Sequence, residues 1–220
     1  MNLKKRFSDS DLLRIKAAVK DAENTISGEI VPVIVERSGQ YSIANYKSGI
    51  LAAAITFFIM VLVDRYILSD VENTLLYDPV FIFFIATVGG MIGALLPNLL
   101  PTFKRALLSR EHLDSATRKR AECSFLEEEV FNTKQRTGIM IFISFFEKEV
   151  MVIADKGISK VVDQKIWDKM VADLLSMIRE GKMVEGLEAS IKKCGEILLE
   201  NGFVKADDDI NELTDDLRIE

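Results

Sequence analysis

Histidine and cysteine are nearly missing from this 220-residue chain, which has one of the first and two of the second. Cys123 and Cys194 lie far apart in helical patterns, with no CxxC pair and no histidine beside them. Neither a zinc site nor a disulfide framework is indicated, and buried thiols are the expectation. The single His112 falls in a charge-rich helical stretch that follows the apolar middle of the chain, which argues against a Ser-His-Asp arrangement. There is no Walker loop and no cysteine signature of a phosphoenzyme. Basic charge is not in excess either. A formal charge of −6 and a pI near 5.1 argue against a nucleic-acid binder, which concentrates basic surface. Met1 to Arg6 is basic but runs into an amphipathic, charge-rich segment instead of an apolar core, so no secretory signal is expected there.

What the chain does have is apolar length. Two runs, Ser48 to Leu68 and Pro79 to Leu100, are separated by a short acidic segment. Each is long enough to cross a hydrocarbon core of about 30 Å. Two adjacent helices apolar on every face would need a large surrounding core in a soluble protein, and the rest of this chain is charged and amphipathic. A transmembrane hairpin is expected. Gly89 and Gly93, with Ala86, Gly90 and Ala94 beside them, give it a small-residue seam suited to intrachain packing or to dimerisation. Arg37 and Lys47 precede the first run, and Lys104, Arg105 and Arg110 follow the second. The connecting loop sets Arg65 against Asp64, Asp70, Glu72 and Asp78. The positive-inside rule then places both termini and the globular part in the cytoplasm. Lys104, Arg105, Arg110, Arg118, Lys119 and Arg120 could lie against anionic headgroups, although setting topology and solvating a helix face is their simpler role.

The remaining sequence reads as one domain cut in two. Ser8 and Asp11 suggest a capped helix from about Asp9 to Asn24, with Leu12, Ile15, Ala18, Val19 and Ala22 at helical spacing. Glu29 to Glu36 is a β-branched strand whose Pro32 lacks a donor and so favours an edge or a bulge. Beyond the hairpin, a helical stretch from about Ser109 to Thr133 leads to two closely spaced apolar runs, Ile139 to Phe145 and Val150 to Ala154, a β-hairpin pattern. Helices near 163–179 and 184–200 carry apolar stripes, and Trp167 reads as a packing anchor. The lone first strand needs partners from 139–154, and two membrane crossings return the chain to the side it left. The expectation is an α/β fold: a small mixed β-sheet packed with helices, interrupted by a transmembrane helical hairpin. Its parts are 1–46, the hairpin 47–103, 104–202 with the juxtamembrane helix, and an acidic tail 203–220.

Chemistry, if present, rests on carboxylates. Asp155 closes the β-hairpin at a strand-to-loop edge before Lys156 and Gly157, where an oxygen ligand for a divalent metal could sit. An exposed turn residue or a cap is the simpler role for it. Glu29 and Asp163 are weaker candidates. Asp207, Asp209 and Asn211 open like a calcium loop, but Glu212 stands where glycine is needed and Arg218 where a bidentate glutamate is needed, so this is not an EF-hand. The tail reads as a solvated or partner-binding segment, with an inward alternative in which Leu213, Leu217 and Ile219 tuck onto the body and the acids face the basic juxtamembrane helix.

Three separated segments, TISGEIVPVIV (Thr25 to Val35), RTGIMIFISFFEKEVMVIADKGI (Arg136 to Ile158) with the following Trp167, and NELTDDL (Asn211 to Leu217), resemble the TPM-domain family. That family is named for a thylakoid-lumen phosphatase-like protein, a photosystem II repair protein and a receptor-associated animal protein. The resemblance implies a compact mixed α/β sheet, with phosphatase activity and calcium binding in some members. The inserted hairpin departs from the simpler members, and Asp155 stands where those often have a small residue, so it is not carried over as a family ligand. Two functions from different classes are expected. The first is a membrane-anchored cytoplasmic module that docks another membrane protein or complex, with the lipid bilayer and a protein as partners and no nucleic acid. The second is an acid phosphatase acting on phosphomonoesters with calcium or magnesium, using Asp155 as catalytic residue and metal ligand, with Asp207 and Asp209 as further metal ligands.

Overall fold

The computed structural model describes residues 3–66, 78–206 and 210–220, in two compact units. The first combines residues 3–39 with 114–206 and 210–220. The second comprises 40–66 and 78–113.

In the first unit, α1 (Asp9–Glu23) starts on a full capping box: the Ser8 hydroxyl accepts from the Asp11 amide, and the Asp11 carboxylate accepts from the Ser8 amide at 2.9 Å. After a short loop comes β1 (Glu29–Val35), every residue of which is buried. Its neighbour β2 (Gly138–Ser144) lies on the far side of the second unit in sequence, yet the two pair in parallel from Glu29↔Gly138 to Val35↔Ser144. β2 turns through Lys148, at φ 57°, into antiparallel β3 (Glu149–Ala154). A fourth strand completes the order β3-β2-β1-β4: β4 (Arg218–Ile219), in the acidic tail, pairs in parallel with Val33 and Ile34. The mixed α/β architecture is therefore as expected.

Burial on both faces explains the unbroken apolar strands. One face of the sheet, with Ile30, Ile34, Ile139, Ile141 and Ile143, packs against Ile15 and Val19 of α1 and against the stripes of α7 (Gln164–Arg179) and α8 (Met183–Glu200). Trp167 is 2 % exposed in this core. The other face, with Val31, Val33, Met140 and Phe142, is covered by Ala121 and Phe125 of α5 (Arg110–Glu127) together with Val130 and the tail residue Leu213. Gly138 permits a close approach: a Cβ there would lie 1.9 Å from the Val130 carbonyl oxygen.

Pro32 sits in an interior strand, and the register shows how this is tolerated. Ile34 accepts from the Glu220 amide and the Glu36 amide donates to the Glu220 carbonyl, so even-numbered residues of β1 face β4. β4 begins opposite Val33. The missing N–H of Pro32 therefore points past the end of β4, where β1 is locally an edge.

In the second unit, α2 (Ser42–Tyr66) and α3 (Pro79–Leu99) form an apolar pair, each long and apolar enough to cross a membrane. α3 starts on the Asp78 cap, whose carboxylate accepts from the Val80 amide at 2.8 Å. The connecting segment 67–77 lies outside the described residues. The small-residue seam is used within the chain: Gly93 faces Ala52, Gly90 faces Ala53, and Gly89 faces Thr56. A Cβ on Gly93 would come within 2.1 Å of the Ala52 Cβ. The Ser48 hydroxyl donates to the Gly93 carbonyl at 2.7 Å, and the Asn45 amide donates to Asn98 at 3.1 Å. Outward-facing Ile50, Phe58, Phe83 and Phe84 are exposed, as a lipid-facing surface requires. The short α4 (Pro101–Ala106) follows α3, and Lys47 donates to the Leu107 carbonyl at 3.0 Å.

Candidate functional site

Two of the polar constellations in the first unit bear on its chemistry. The first is built around Asp155, which follows β3 and caps the short α6 (Lys156–Ser159). Its side chain is buried, and both oxygens are engaged: Arg136 Nε donates to Oδ2 at 2.5 Å, Arg136 Nη2 to Oδ1 at 2.9 Å, and the Lys156 amide to Oδ1 at 2.7 Å. Burial alone would push its pKa up. The hydrogen bonds from Arg136 and the Lys156 amide outweigh it and hold the carboxyl below its ordinary value. Arg136 lies at φ 59° and stacks its guanidinium 5.8 Å from the Phe131 ring centre. Asp155 thus ties the loop before β2 to the turn after β3, and a metal ion would have to compete with a bidentate arginine for it.

Of the second constellation the sequence offered Glu29 as a weaker candidate but not its central residue, Glu23. Glu23 closes α1, on the same stripe as Ile15 and Val19, and the residue is 7 % exposed. Oε1 accepts from the Ile30 amide at 2.8 Å, while Oε2 is buried without a partner among the described residues. It borders a cavity of about 130 Å³ walled by Lys20, Ile26, Gly28, Glu29, Lys205 and Asn211. Burial, followed by the charges of Glu29 and Asp215, pushes the Glu23 carboxyl up to about 8 against the pull of the Ile30 amide and Lys205. Glu29 accepts from the Glu212 and Leu213 amides at 3.0 and 3.3 Å, Asp215 accepts from Asn211 at 2.6 Å, and Lys205 donates to the Glu23 carbonyl at 2.9 Å. The signal available in sequence was a carboxylate four residues after Val19, at a position the apolar stripe should occupy.

The other expected residues are dispersed. Asp163 caps α7, accepting from the Lys165 amide at 2.9 Å. His112 meets the Tyr41 ring edge-on at 5.9 Å, in the second unit. Asp207 and Asp209 lie outside the described residues. Among the described residues, no group of three or more His, Cys, Asp or Glu is placed to hold a metal ion. Cys194 is fully buried against Met170, and burial pushes its thiol up, whereas Cys123 is exposed.

The tail follows the inward alternative. Leu217 and Ile219 pack on the first core and Leu213 on the second. Arg120 of α5 holds Glu220 at 2.5 Å, the Ser124 hydroxyl donates to the same carboxylate at 3.1 Å, and Arg218 donates to Glu128 at 2.9 Å. The Glu212 carboxylate accepts from the Lys134 amide through both oxygens, and Lys16 pairs with Asp216.

The first unit is thus a mixed α/β sheet protein whose two central strands are joined through an apolar helical hairpin. Neither family models nor curated proteins match this chain. Among solved structures it is similar to the NMR structure of the BA42 protein from the psychrophilic bacterium Bizionia argentinensis, with 19% identity, a TM-score of 0.59, and coverage of 97% of this chain and 95% of that one. That likeness is one of fold.

Proposed function

We propose that the chain is a membrane-held interaction module: a TPM-like domain on the cytoplasmic side, anchored by its own hairpin, that docks another membrane protein or complex. The observation that carries this reading is the use made of Asp155. The carboxylate best placed for chemistry is spent on Arg136 and on the α6 amide, as a structural tie. The split domain adds support: β1 and β2 can pair only if the chain between them returns to the side it left, which two crossings allow. The basic residues flanking the two apolar helices favour the cytoplasm for both termini.

Hydrolysis of a generic phosphomonoester by detergent-purified protein, titrated with calcium and magnesium, tests the reading against its enzymatic rival. The module reading expects no turnover above that of Asp155→Asn prepared identically. Metal-dependent turnover lost in the variant overturns it. Topology has its own test in a Cys123→Ser background: a cysteine at Asn73, outside the described residues, should react with an impermeant thiol reagent in intact cells, and one at Lys205 should not. The reverse pattern removes the cytoplasmic placement.

A further inference from the structure

The sheet ends on β3, and the hydrogen-bond register states which of its backbone groups are left over. The Asp155 amide donates to the Gly138 carbonyl and the Gly157 amide to the Arg136 carbonyl. Odd-numbered residues of β3 therefore exchange bonds with β2, and Val150, Val152 and Ala154 turn their N–H and C=O groups outward. Among the described residues no hydrogen bond reaches those groups. Edge strands are ordinarily blunted by a proline, a bulge, or a charge in mid-strand. From Val150 to Ala154 β3 has neither a proline nor a charge, and its register with β2 is unbroken.

The exposed charges close to β3 in sequence are mainly basic, although the chain as a whole is acidic. Lys148 precedes β3 and Lys156 follows it, both exposed. Lys160 on the next turn and Lys165 and Lys169 on α7, which packs against β3, are exposed as well. None of the five is in an ion pair among the described residues. Of the five acids in the same stretch, Asp155 is buried against Arg136, Glu147 is buried and accepts from the Ser38 amide and the Ser144 hydroxyl, and Glu149 is half-buried, which leaves exposed Asp163 and Asp168 against the five exposed lysines.

We infer that the outer edge of β3 is a docking site for an extended, acidic segment of a partner protein, which adds to the sheet as a fifth strand. Main-chain hydrogen bonds to Val150, Val152 and Ala154 supply the affinity, and Lys148 and Lys156 at the two ends select for acidic flanks. A second copy of the chain is a poorer occupant. β3 laid antiparallel on itself about Val152 sets exposed Lys148 against exposed Lys156 of the other copy at both ends, two like-charge pairs. This inference rests on the module reading and names the partner's chemistry.

The test uses the full chain in detergent and a fluorescent peptide of about six residues, the usual strand length, with alternating valine and glutamate. Binding is read by anisotropy. The expected results are a saturable signal, an about tenfold or greater loss when alternate peptide amides are N-methylated, and a similar loss when lysine replaces glutamate in the peptide. Val152→Pro removes one outward donor without touching the β2 ladder and should weaken binding by a like factor, with Trp167 emission unchanged as a check on folding. The double change Lys148→Glu, Lys156→Glu is the second variant and should reverse the charge preference. No binding of the acidic peptide, or equal binding of the N-methylated one, overturns the inference. Affinity capture from native membranes separates the two claims. A partner retained equally by wild type and Val152→Pro overturns the edge site and leaves the module reading standing. Peptide binding with no partner captured by either form supports the edge and counts against the module.

Discussion

Replacing Glu23 by glutamine should stabilise this protein, and the gain should grow with pH. Glu23 sits in a core stripe with one oxygen bonded to the Ile30 amide and the other buried without a partner, and its carboxyl is pushed up to about 8 from an ordinary 4.5. Between those two values the folded chain holds a proton that the unfolded chain has released. Stability then falls as pH rises, by about 1.4 kcal/mol per pH unit, and the fall stops once the pH passes the folded value. The substituted glutamine keeps an oxygen for the Ile30 amide and has no proton to lose. The variant should match wild type near pH 4.5 and exceed it by roughly 3 kcal/mol near pH 7. Trp167 is the only tryptophan and lies in the core of the first unit, so urea unfolding followed by its fluorescence reports on this unit alone. Glu149 contributes a slope of the same sign, since burial and its hydrogen bond with Asp114 raise it to about 7. That slope is common to both proteins, so across the window from pH 5 to 8 the difference between them belongs to Glu23. A wild-type midpoint that stays flat across that window, or an equal slope in the variant, would refute the reasoning.

Asp155→Asn should destabilise the first unit by about 1–3 kcal/mol in the same assay, below the usual cost of breaking a buried pair because Arg136 is half exposed. The loss should shrink only in acid, as the wild-type carboxyl, held below its ordinary value, takes up its own proton. Gly93→Val should spread the hairpin. Cysteines at Asn45 and Asn98, in a Cys123→Ser background, should cross-link on oxidation in the parent and fail to do so with valine at 93. Truncation after Gly202 should collapse the first unit instead of merely removing a docking arm, since it deletes β4, the amides that hold Glu29, and three apolar anchors. Early loss of Trp167 protection from acrylamide quenching would register this, and native-like quenching would contradict it.

Periodic elements were legible because their signal is local. Helix α1 ends one residue short of its expected bound, and α7 and α8 each fall within a residue of theirs at the start, since capping serine and aspartate and apolar stripes mark them directly. The inserted hairpin could be anticipated from length alone, and the pairing of β1 with β2 from the need of a lone strand for partners. The small-residue seam left two options open, and its contacts with Ala52, Ala53 and Thr56 assign it to the hairpin itself. Two features were only partly legible because their partners are distant. Asp155 could be read as a turn residue or a cap, and it does cap α6, but its clasp by Arg136, nineteen positions earlier, is not visible in sequence. For the tail, the inward packing of Leu213, Leu217 and Ile219 was open as an alternative, while β4 itself was not legible because a two-residue strand is too short to show a period. Glu23 was hidden for the opposite reason: a carboxylate on an apolar stripe looks like a helix end until the cavity beside it is known.

The parallel pairing of β1 with β2 also sets a schedule for biosynthesis. β1 leaves the ribosome with a core-quality surface on both faces, and its partner strand follows only after roughly a hundred further residues, both apolar helices among them, have been made. At typical elongation rates the exposed strand waits for about 5–20 s. A seven-residue run of this kind is an aggregation hazard in that interval, and Pro32 interrupts it in the middle. The residue that costs the finished sheet one hydrogen-bond donor at a point where β4 does not reach thus acts, during synthesis, as a gatekeeper against premature pairing with the wrong chain.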